Sequence, residues 1–163
     1  MNVAQTSLDP PHFPVMLKEI IEICSPKKGG NFVDCTFGGG GYTKELLKFP
    51  NTKVIALDRD KGAIAEAEKL KKKFSERFSF YNEKFSNLDL IIKEKNNIDT
   101  FIFDLGISSN QLLDLDRGFS FKSNKKIDMN MGLSEISAEE VLNEIDEKNL
   151  KLIIKTFGEE KEG

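Results

Sequence analysis

Short runs of apolar and β-branched residues alternate along the chain with segments whose apolar residues recur at every third or fourth position. A short apolar run is typical of a strand, and the wider spacing is typical of a helix with one buried face. The runs predict strands at residues 31–36, 53–58, 78–81 and 100–104. The wider spacing predicts helices within residues 12–24 and at 43–48, 59–73, 88–95, 137–145 and 148–157. This alternation predicts an α/β fold with a parallel, doubly wound sheet.

Four consecutive glycines stand between the first predicted strand and the second predicted helix, in the stretch FVDCTFGGGGYT at residues 32–43. Glycine accepts the positive φ angles of a tight corner and has no Cβ to keep a ligand away from the backbone. The free N–H groups at the start of the following helix favour polar or anionic ligand groups. The corner is therefore predicted to bind a cofactor.

Two classes of cofactor bind at a glycine turn of this kind. One class is the dinucleotides, such as NAD, and the other is S-adenosylmethionine. The dinucleotide fingerprint GxGxxG, laid on Gly38 and Gly40, requires glycine or alanine where Thr43 stands. Small residues at alternate positions after a strand-end carboxylate fit S-adenosylmethionine better, and here they read Asp34-x-Thr36-x-Gly38-x-Gly40. An NAD-dependent oxidoreductase stays open as the less favoured alternative.

Acidic residues stand at the carboxyl ends of three predicted strands, at Asp34, Asp58 and Asp104. Doubly wound sheets bind their ligands at that edge. Asp58 lies 20 residues beyond Gly38, where a carboxylate accepts hydrogen bonds from the ribose hydroxyls of either cofactor. Phe85 follows the third strand, so its ring either covers an adenine or packs in the core.

Composition excludes several classes of site. The chain has one histidine, His12, so a Ser-His-Asp triad or a multi-histidine metal centre has no second imidazole, and no metal is expected. The two cysteines, Cys24 and Cys35, are too few for a disulfide framework and are predicted to be buried thiols. No apolar segment approaches membrane-spanning length, which predicts a protein of the cytoplasm without membrane contact.

The formal net charge of −3 is unevenly distributed. Residues 1–110 carry 16 basic and 15 acidic side chains, whereas residues 111–163 carry 8 basic and 12 acidic ones. An acidic tail disfavours broad binding to a phosphate backbone, so any contact with RNA is predicted to be local. The basic cluster within residues 69–77 is interpreted as a solvated helix face.

Seven motifs spread over nearly the whole chain carry a resemblance to a known family. They are PVMLKE at 14–19, VDCTFGGGG at 33–41, LDRD at 57–60, FDLGISSNQL at 103–112, RGFSF at 117–121, DMNM at 128–131 and FGEEK at 157–161. The chain resembles the bacterial ribosomal RNA small-subunit methyltransferase H family. These enzymes use S-adenosylmethionine to methylate N4 of a cytosine in the 16S ribosomal RNA of the small ribosomal subunit.

The resemblance implies a Rossmann-like methyltransferase fold and a set of site residues. The implied cofactor ligands are Gly40, Gly41, Tyr42, Asp58, Phe85, Asp104 and Gln111. Asp104 is also the implied catalytic residue, which would orient the N4 amino group together with carbonyls near Ser108 and Ser109. The implied RNA-binding residues are Arg117, Phe119 and Phe121, although core packing of the two phenylalanines stays open.

The chain departs from the family pattern in several places. Tyr42 stands where the family usually has histidine, and Asn130 replaces the usual arginine, which removes a cation from the substrate side. Asn110 and Lys161 replace proline and arginine, which are milder changes.

Length is the largest departure, because family members are nearly twice as long. Residues 1–110 are therefore predicted to be the N-terminal part of the methyltransferase domain, cut after its fourth strand. Residues 111–163 are predicted to begin a helical substrate-side insertion. Such a fragment is expected to be inactive alone and to self-associate as a homo-oligomer through its exposed sheet edge. A non-catalytic remnant that binds only cofactor or a partner is the alternative function.

Overall fold

The computed structural model describes residues 14–93, 97–134, 136–158 and 160. Residues 1–11 end in Pro10-Pro11 and are predicted from the sequence to form an extended arm. These residues and His12 lie outside the described residues. The chain divides into two compact units, residues 1–106 and residues 107–163. Each unit is described separately below, and the predicted domain boundary at residue 110 stays a prediction.

The described residues of the first unit form four strands in one parallel sheet. They are β1 (Gly30–Asp34), β2 (Thr52–Leu57), β3 (Phe78–Tyr81) and β4 (Thr100–Ile102). The strand order is β3-β2-β1-β4, with Phe32 of β1 opposite Val54 of β2 and Thr100 of β4. All four strands and the parallel sheet were predicted from the sequence, and the structure confirms them.

Helices cover both faces of this sheet. They are α1 (Leu17–Cys24), α2 (Gly41–Leu47), α3 (Ile64–Lys73) and α4 (Leu88–Ile91). Neighbouring strand residues point to opposite faces: Phe32 is buried in the cluster formed with α1, α2 and α3, whereas Val33 is buried in the cluster formed with α4. The doubly wound arrangement is therefore confirmed. The two cysteines are buried free thiols, as predicted.

The fourth strand lies at the sheet edge among the strands that the structure describes. The continuous apolar run Phe101, Ile102 and Phe103 is suited by its sequence to a strand covered on both faces. In the structure, however, Phe101 is 38% exposed and Phe103 is 48% exposed. An edge strand presents unpaired backbone groups beside these rings. The exposed apolar edge is thus confirmed for the described residues, and self-association through it stays a prediction.

In the second unit, the described residues form three α-helices, α5 (Ser109–Leu113), α6 (Ala138–Glu144) and α7 (Glu147–Phe157). The structure confirms α6 and α7. The spacing of Ser137 and Glu140 in the sequence predicts a capping box at the start of α6, and the two residues do exchange hydrogen bonds there. Residues 105–121 are polar and interrupted by glycines, which predicts a loop, so the helix α5 was not expected. A second capping box between Ser108 and Gln111 starts it.

Arg77 corrects the interpretation of the basic cluster as a solvated helix face. Helix α3 ends at Lys73, and the Arg77 guanidinium lies beyond it, against the loop between α2 and β2. It donates hydrogen bonds to the carbonyl oxygens of Phe49 at 2.8 Å, Thr52 at 3.1 Å and Leu47 at 3.1 Å. Arg77 therefore holds the loop that leads into β2.

We predict that Arg77→Ala lowers the free energy of unfolding by about 2 kcal/mol, because several carbonyl oxygens lose a charged donor. Urea unfolding followed by circular dichroism measures the change. The exposed Lys72→Ala is the matched control and is expected to change stability by less than about 0.5 kcal/mol. Equal effects of the two substitutions would show that the Arg77 contacts do not stabilise the fold.

Candidate functional site

Three carboxylates lie along one edge of the sheet in the first unit. Asp34 is the last residue of β1, Asp58 follows β2 directly, and Asp104 lies two residues after β4. Because the strands are parallel, their carboxyl ends meet at this edge. The edge is where an open α/β sheet binds ligands.

The glycine turn between β1 and α2 has an open half and a packed half. A Cβ at Gly39 would meet no atom within 4 Å, and one at Gly38 would only reach the carbonyl oxygen of Thr36 at 4.0 Å. In contrast, a Cβ at Gly40 would lie 2.8 Å from the Phe37 ring, and one at Gly41 would overlap Pro14. The bare backbone that a ligand can approach is therefore at Gly38 and Gly39.

Asp58 connects the end of β2 to this turn. Its Oδ2 accepts a hydrogen bond from the Gly38 N–H at 2.6 Å, and its Oδ1 accepts one from the Asp60 N–H at 2.8 Å. Gly38 adopts a φ of 51°, so the turn conformation suits glycine and presents the amide to the carboxylate. These two bonds hold the Asp58 carboxylate beside the glycine turn at the carboxyl edge of the sheet.

Asp34 is completely buried and fixes the base of the turn. Its Oδ2 accepts a hydrogen bond from the Thr43 hydroxyl at 2.7 Å, and its Oδ1 accepts one from the Thr36 N–H at 3.3 Å. Burial, which disfavours the charged form, raises the pKa of Asp34 to about 6. Thr43, the residue that breaks the dinucleotide fingerprint, is thus the donor that ties α2 to β1.

Asp104 is held beside Tyr42. The Asp104 N–H donates to Oγ1 of Thr36 at 2.8 Å, which fixes the backbone after β4. The buried Tyr42 hydroxyl lies 2.6 Å from the Val15 carbonyl oxygen and 3.2 Å from Oδ2 of Asp104. Burial and the neighbouring Asp104 carboxylate raise the pKa of Tyr42 to about 12, so this phenol stays a neutral donor at neutral pH.

Phe85 presents an accessible ring past the end of β3. Its side chain is 43% exposed, and its ring makes an edge-to-face contact with Phe103 at a centroid distance of 5.6 Å. The alternative that Phe85 packs in the core is therefore wrong. Contact with an adenine stays a prediction.

The remaining predicted site residues belong to the second unit. Gln111 is buried, and its Oε1 accepts the Ser108 N–H at 2.8 Å in the capping box of α5. Arg117 donates to the Asn130 carbonyl oxygen at 2.7 Å and lies over the Phe119 ring at 5.4 Å. Phe121 is fully exposed, which excludes core packing for this ring.

The described residues contain neither a candidate metal site nor a membrane-spanning helix. Within the described part of the chain, no group of three or more histidine, cysteine, aspartate or glutamate side chains is placed to hold a metal ion. Across the same residues, no helix has the length and apolar character that crossing a bilayer requires.

A family model places this chain among known proteins. The model of the MraW methylase family matches residues 9–163. The chain belongs to the MraW methylase family. This match confirms the family resemblance that the seven sequence motifs carried.

Curated relatives are similar in sequence over nearly the whole chain. A protein of Rickettsia massiliae named "Ribosomal RNA small subunit methyltransferase H" is 45% identical over 149 residues, which is 91% of this chain and 48% of the relative. A protein of Rickettsia bellii with the same name is 43% identical over 150 residues, 92% of this chain and 49% of the relative. The chain thus spans about half the length of the curated relatives it matches.

A solved structure is also similar. It is an rRNA methylase from Streptococcus thermophilus, 24% identical, with a TM-score of 0.43 over 53% of this chain and 54% of that one.

The sequence analysis named or included three residues of the candidate site in this MraW family member without predicting what the structure shows of them. Gly39 is the most open position of the turn, Thr36 holds the backbone of Asp104, and Thr43 holds Asp34. The four-glycine run contained a signal for Gly39, since only a ligand or a tight corner needs so many glycines in sequence. No local pattern shows that Thr36 contacts a residue 68 positions away.

We predict a pH-dependent stability that comes from Asp34. Its pKa is raised to about 6 in the folded protein from an ordinary value of 3.8, so the folded state binds this proton more tightly. The stabilisation is full below pH 3.8 and is lost as the pH rises through about 6. Relative to Asp34→Asn, the unsubstituted protein is expected to lose about 2 to 3 kcal/mol across that window.

Urea unfolding at several pH values between 4 and 7 measures this difference. Thr43→Val is the matched variant, because the Thr43 hydroxyl holds the pKa of Asp34 down and its removal should extend the loss to higher pH. A stability difference between the unsubstituted protein and Asp34→Asn that stays constant with pH would contradict the assignment.

Proposed function

We propose that this chain forms the cofactor-binding part of an S-adenosylmethionine-dependent methyltransferase. Its proposed target is N4 of a cytosine in 16S ribosomal RNA, within the small ribosomal subunit of the cytoplasm. The observation that carries the proposal is the open glycine turn hydrogen-bonded to Asp58, in a chain of the MraW methylase family. The names of the curated relatives support the choice of substrate.

The residues at the sheet edge fit S-adenosylmethionine. This cofactor has no phosphate, and the turn offers it bare backbone at Gly38 and Gly39 together with the carboxylate of Asp58. Asp58 is the proposed acceptor for the ribose hydroxyls, and the exposed ring of Phe85 is the proposed cover for the adenine. When bound, the cofactor supplies an electrophilic methyl group on a sulfonium.

Contacts of the cofactor with Gly40, Gly41 and Tyr42 are part of the same proposal. The Gly40 N–H already donates to the Phe37 carbonyl oxygen at 2.7 Å, so the proposed contact of the cofactor with Gly40 does not use this N–H as a donor. Gln111 of the second unit is retained as a proposed ligand.

NAD binding is the weaker candidate. The dinucleotide fingerprint places glycine or alanine at position 43 so that helix and strand pack closely. Here Thr43 is buried and its hydroxyl bonds to Asp34. This position therefore contributes a specific hydrogen bond, which a dinucleotide fingerprint does not require.

Asp104 is the proposed orienting residue for methyl transfer. The lone pair of cytosine N4 is delocalised into the ring, which makes the amino group a poor nucleophile. A carboxylate that accepts its N–H bonds turns the lone pair toward the methyl group and needs no strong base. Asp104 suits this role because its backbone is held by Thr36 and its carboxylate is partly accessible.

Arg117, Phe119 and Phe121 are the proposed RNA contacts of the second unit. A target base must leave its stack, and a stacked aromatic ring is worth about 1 to 3 kcal/mol per base. Phe121 presents such a ring, and the contact between Arg117 and Phe119 keeps a cation beside an aromatic surface. These contacts are local, which suits a segment that is acidic overall.

We predict that Asp58→Ala weakens binding of S-adenosylhomocysteine at least about tenfold, because the ribose hydroxyls lose a charged acceptor and the Gly38 amide loses its partner. Isothermal titration calorimetry measures the dissociation constant. Asp89→Ala, on the exposed side of α4, is the matched control and should bind as the unsubstituted chain does. Unchanged affinity in Asp58→Ala would refute the ribose contact.

We further predict that Asp104→Ala lowers methyl transfer more than cofactor affinity. The test uses a chimaera in which this chain replaces the matching 149-residue segment of the Rickettsia massiliae relative. Transfer of labelled methyl groups to small subunits lacking the modification gives the rate, and calorimetry gives the affinity. Equal losses would make Asp104 a cofactor ligand only, and cofactor binding without any transfer by the unsubstituted chimaera would favour a binding-only function.

A further inference from the structure

The hydroxyl of Tyr42 is shared between two acceptors. It lies 2.6 Å from the carbonyl oxygen of Val15, in the segment before α1, and 3.2 Å from Oδ2 of Asp104, after β4. A phenol has one proton to donate. The two acceptors therefore compete for one donor or share it in a three-centre bond.

Asp104 is restrained on one side only. Thr36 fixes its backbone N–H, and Tyr42 contacts Oδ2. Among the residues that the structure describes, no donor contacts Oδ1. One carboxylate oxygen is thus held by the protein, and the other is available to a ligand N–H.

We propose that Tyr42 is a positioning residue, whose hydroxyl holds Oδ2 of Asp104 so that Oδ1 faces the amino group of a bound ligand. The inference rests on the proposed function, because the ligand amino group is that of the bound cofactor, which S-adenosylhomocysteine also carries. A carboxylate that rotates freely takes up many orientations, whereas a buried donor beside one of its oxygens restricts the carboxylate to a narrow range of orientations. A misoriented carboxylate weakens ligand binding and slows methyl transfer.

Burial makes Tyr42 suitable for this task. The ring is almost completely enclosed, so the hydroxyl has no alternative position in solvent. The raised pKa of Tyr42 keeps its proton in place across the neutral range. The carboxylate therefore faces the same neutral donor throughout the pH range in which a methyltransferase works.

A purely structural role through Val15 is the alternative. In that case the hydroxyl only joins the segment before α1 to α2. Oδ2 of Asp104 then lies 3.2 Å from the hydroxyl oxygen without depending on it. The two roles differ in whether the effect of removing the hydroxyl depends on Asp104. A double-mutant cycle measures this dependence.

The first experiment measures S-adenosylhomocysteine binding to the full 163-residue chain by calorimetry. Tyr42→Phe is expected to weaken binding about fivefold, as for one lost orienting hydrogen bond. In the Asp104→Ala background the same substitution is expected to change binding less than about 1.5-fold. The same fold-loss in both backgrounds would overturn the proposal and leave the structural role through Val15.

The second experiment needs no ligand. Tyr81→Phe leaves Tyr42 as the only tyrosine of the chain, so near-ultraviolet absorbance follows ionisation of this phenol alone. Burial is the larger cause of the raised pKa of Tyr42, and Asp104 raises it further, so adding Asp104→Ala is expected to lower this pKa from about 12, with circular dichroism confirming that both variants stay folded. An unchanged titration would overturn the contact itself.

The two experiments separate the proposals. If the unsubstituted chain binds no S-adenosylhomocysteine, the proposed function fails, and the optical titration alone decides the contact between Tyr42 and Asp104. If the chain binds and the cycle shows no coupling, the cofactor site stands and the positioning role of Tyr42 is wrong.

Discussion

The hydrogen bond from the Gly38 N–H to Asp58 is the contact on which the candidate site depends. At 2.6 Å it joins a charged acceptor to a backbone amide, which is among the stronger hydrogen bonds of proteins. It fixes the glycine turn against the end of β2 and leaves the backbone of Gly39 open beside it. Ordering four consecutive glycines has a large cost in conformational entropy, and this bond offsets part of that cost.

The same edge contains two carboxylates with contrasting environments. Asp34 is buried and bonded to Thr43 and Thr36, and its raised pKa shows that the fold bears a cost for its charge. Asp104 is partly accessible and contacts the protein through one oxygen. Burial therefore separates a carboxylate that organises the turn from one that stays partly accessible at the same edge.

Much of this fold was predictable because its signals are local. Apolar runs predicted the four strands, and a serine three residues before a glutamate predicted the start of α6. The acidic residues at the strand ends predicted that three carboxylates lie at one edge of the sheet, and ligand binding there stays a prediction. The contacts of Arg77, Thr36 and Tyr42 were not predictable, because each joins residues 25 to 68 positions apart. The helix α5 was missed because its capping box lies in a segment rich in glycine and serine.

A nuclear magnetic resonance titration is the most direct test of cofactor binding at the glycine turn. The backbone amide signals of the labelled chain are followed while a ligand is added. S-adenosylhomocysteine is predicted to shift the signals of Gly38 and Gly39, which lie in the open half of the turn, and NAD at the same concentration is predicted to leave them in place. Shifts caused by NAD but not by S-adenosylhomocysteine would contradict the central claim. Shifts confined to residues away from the carboxyl edge of the sheet would contradict it equally.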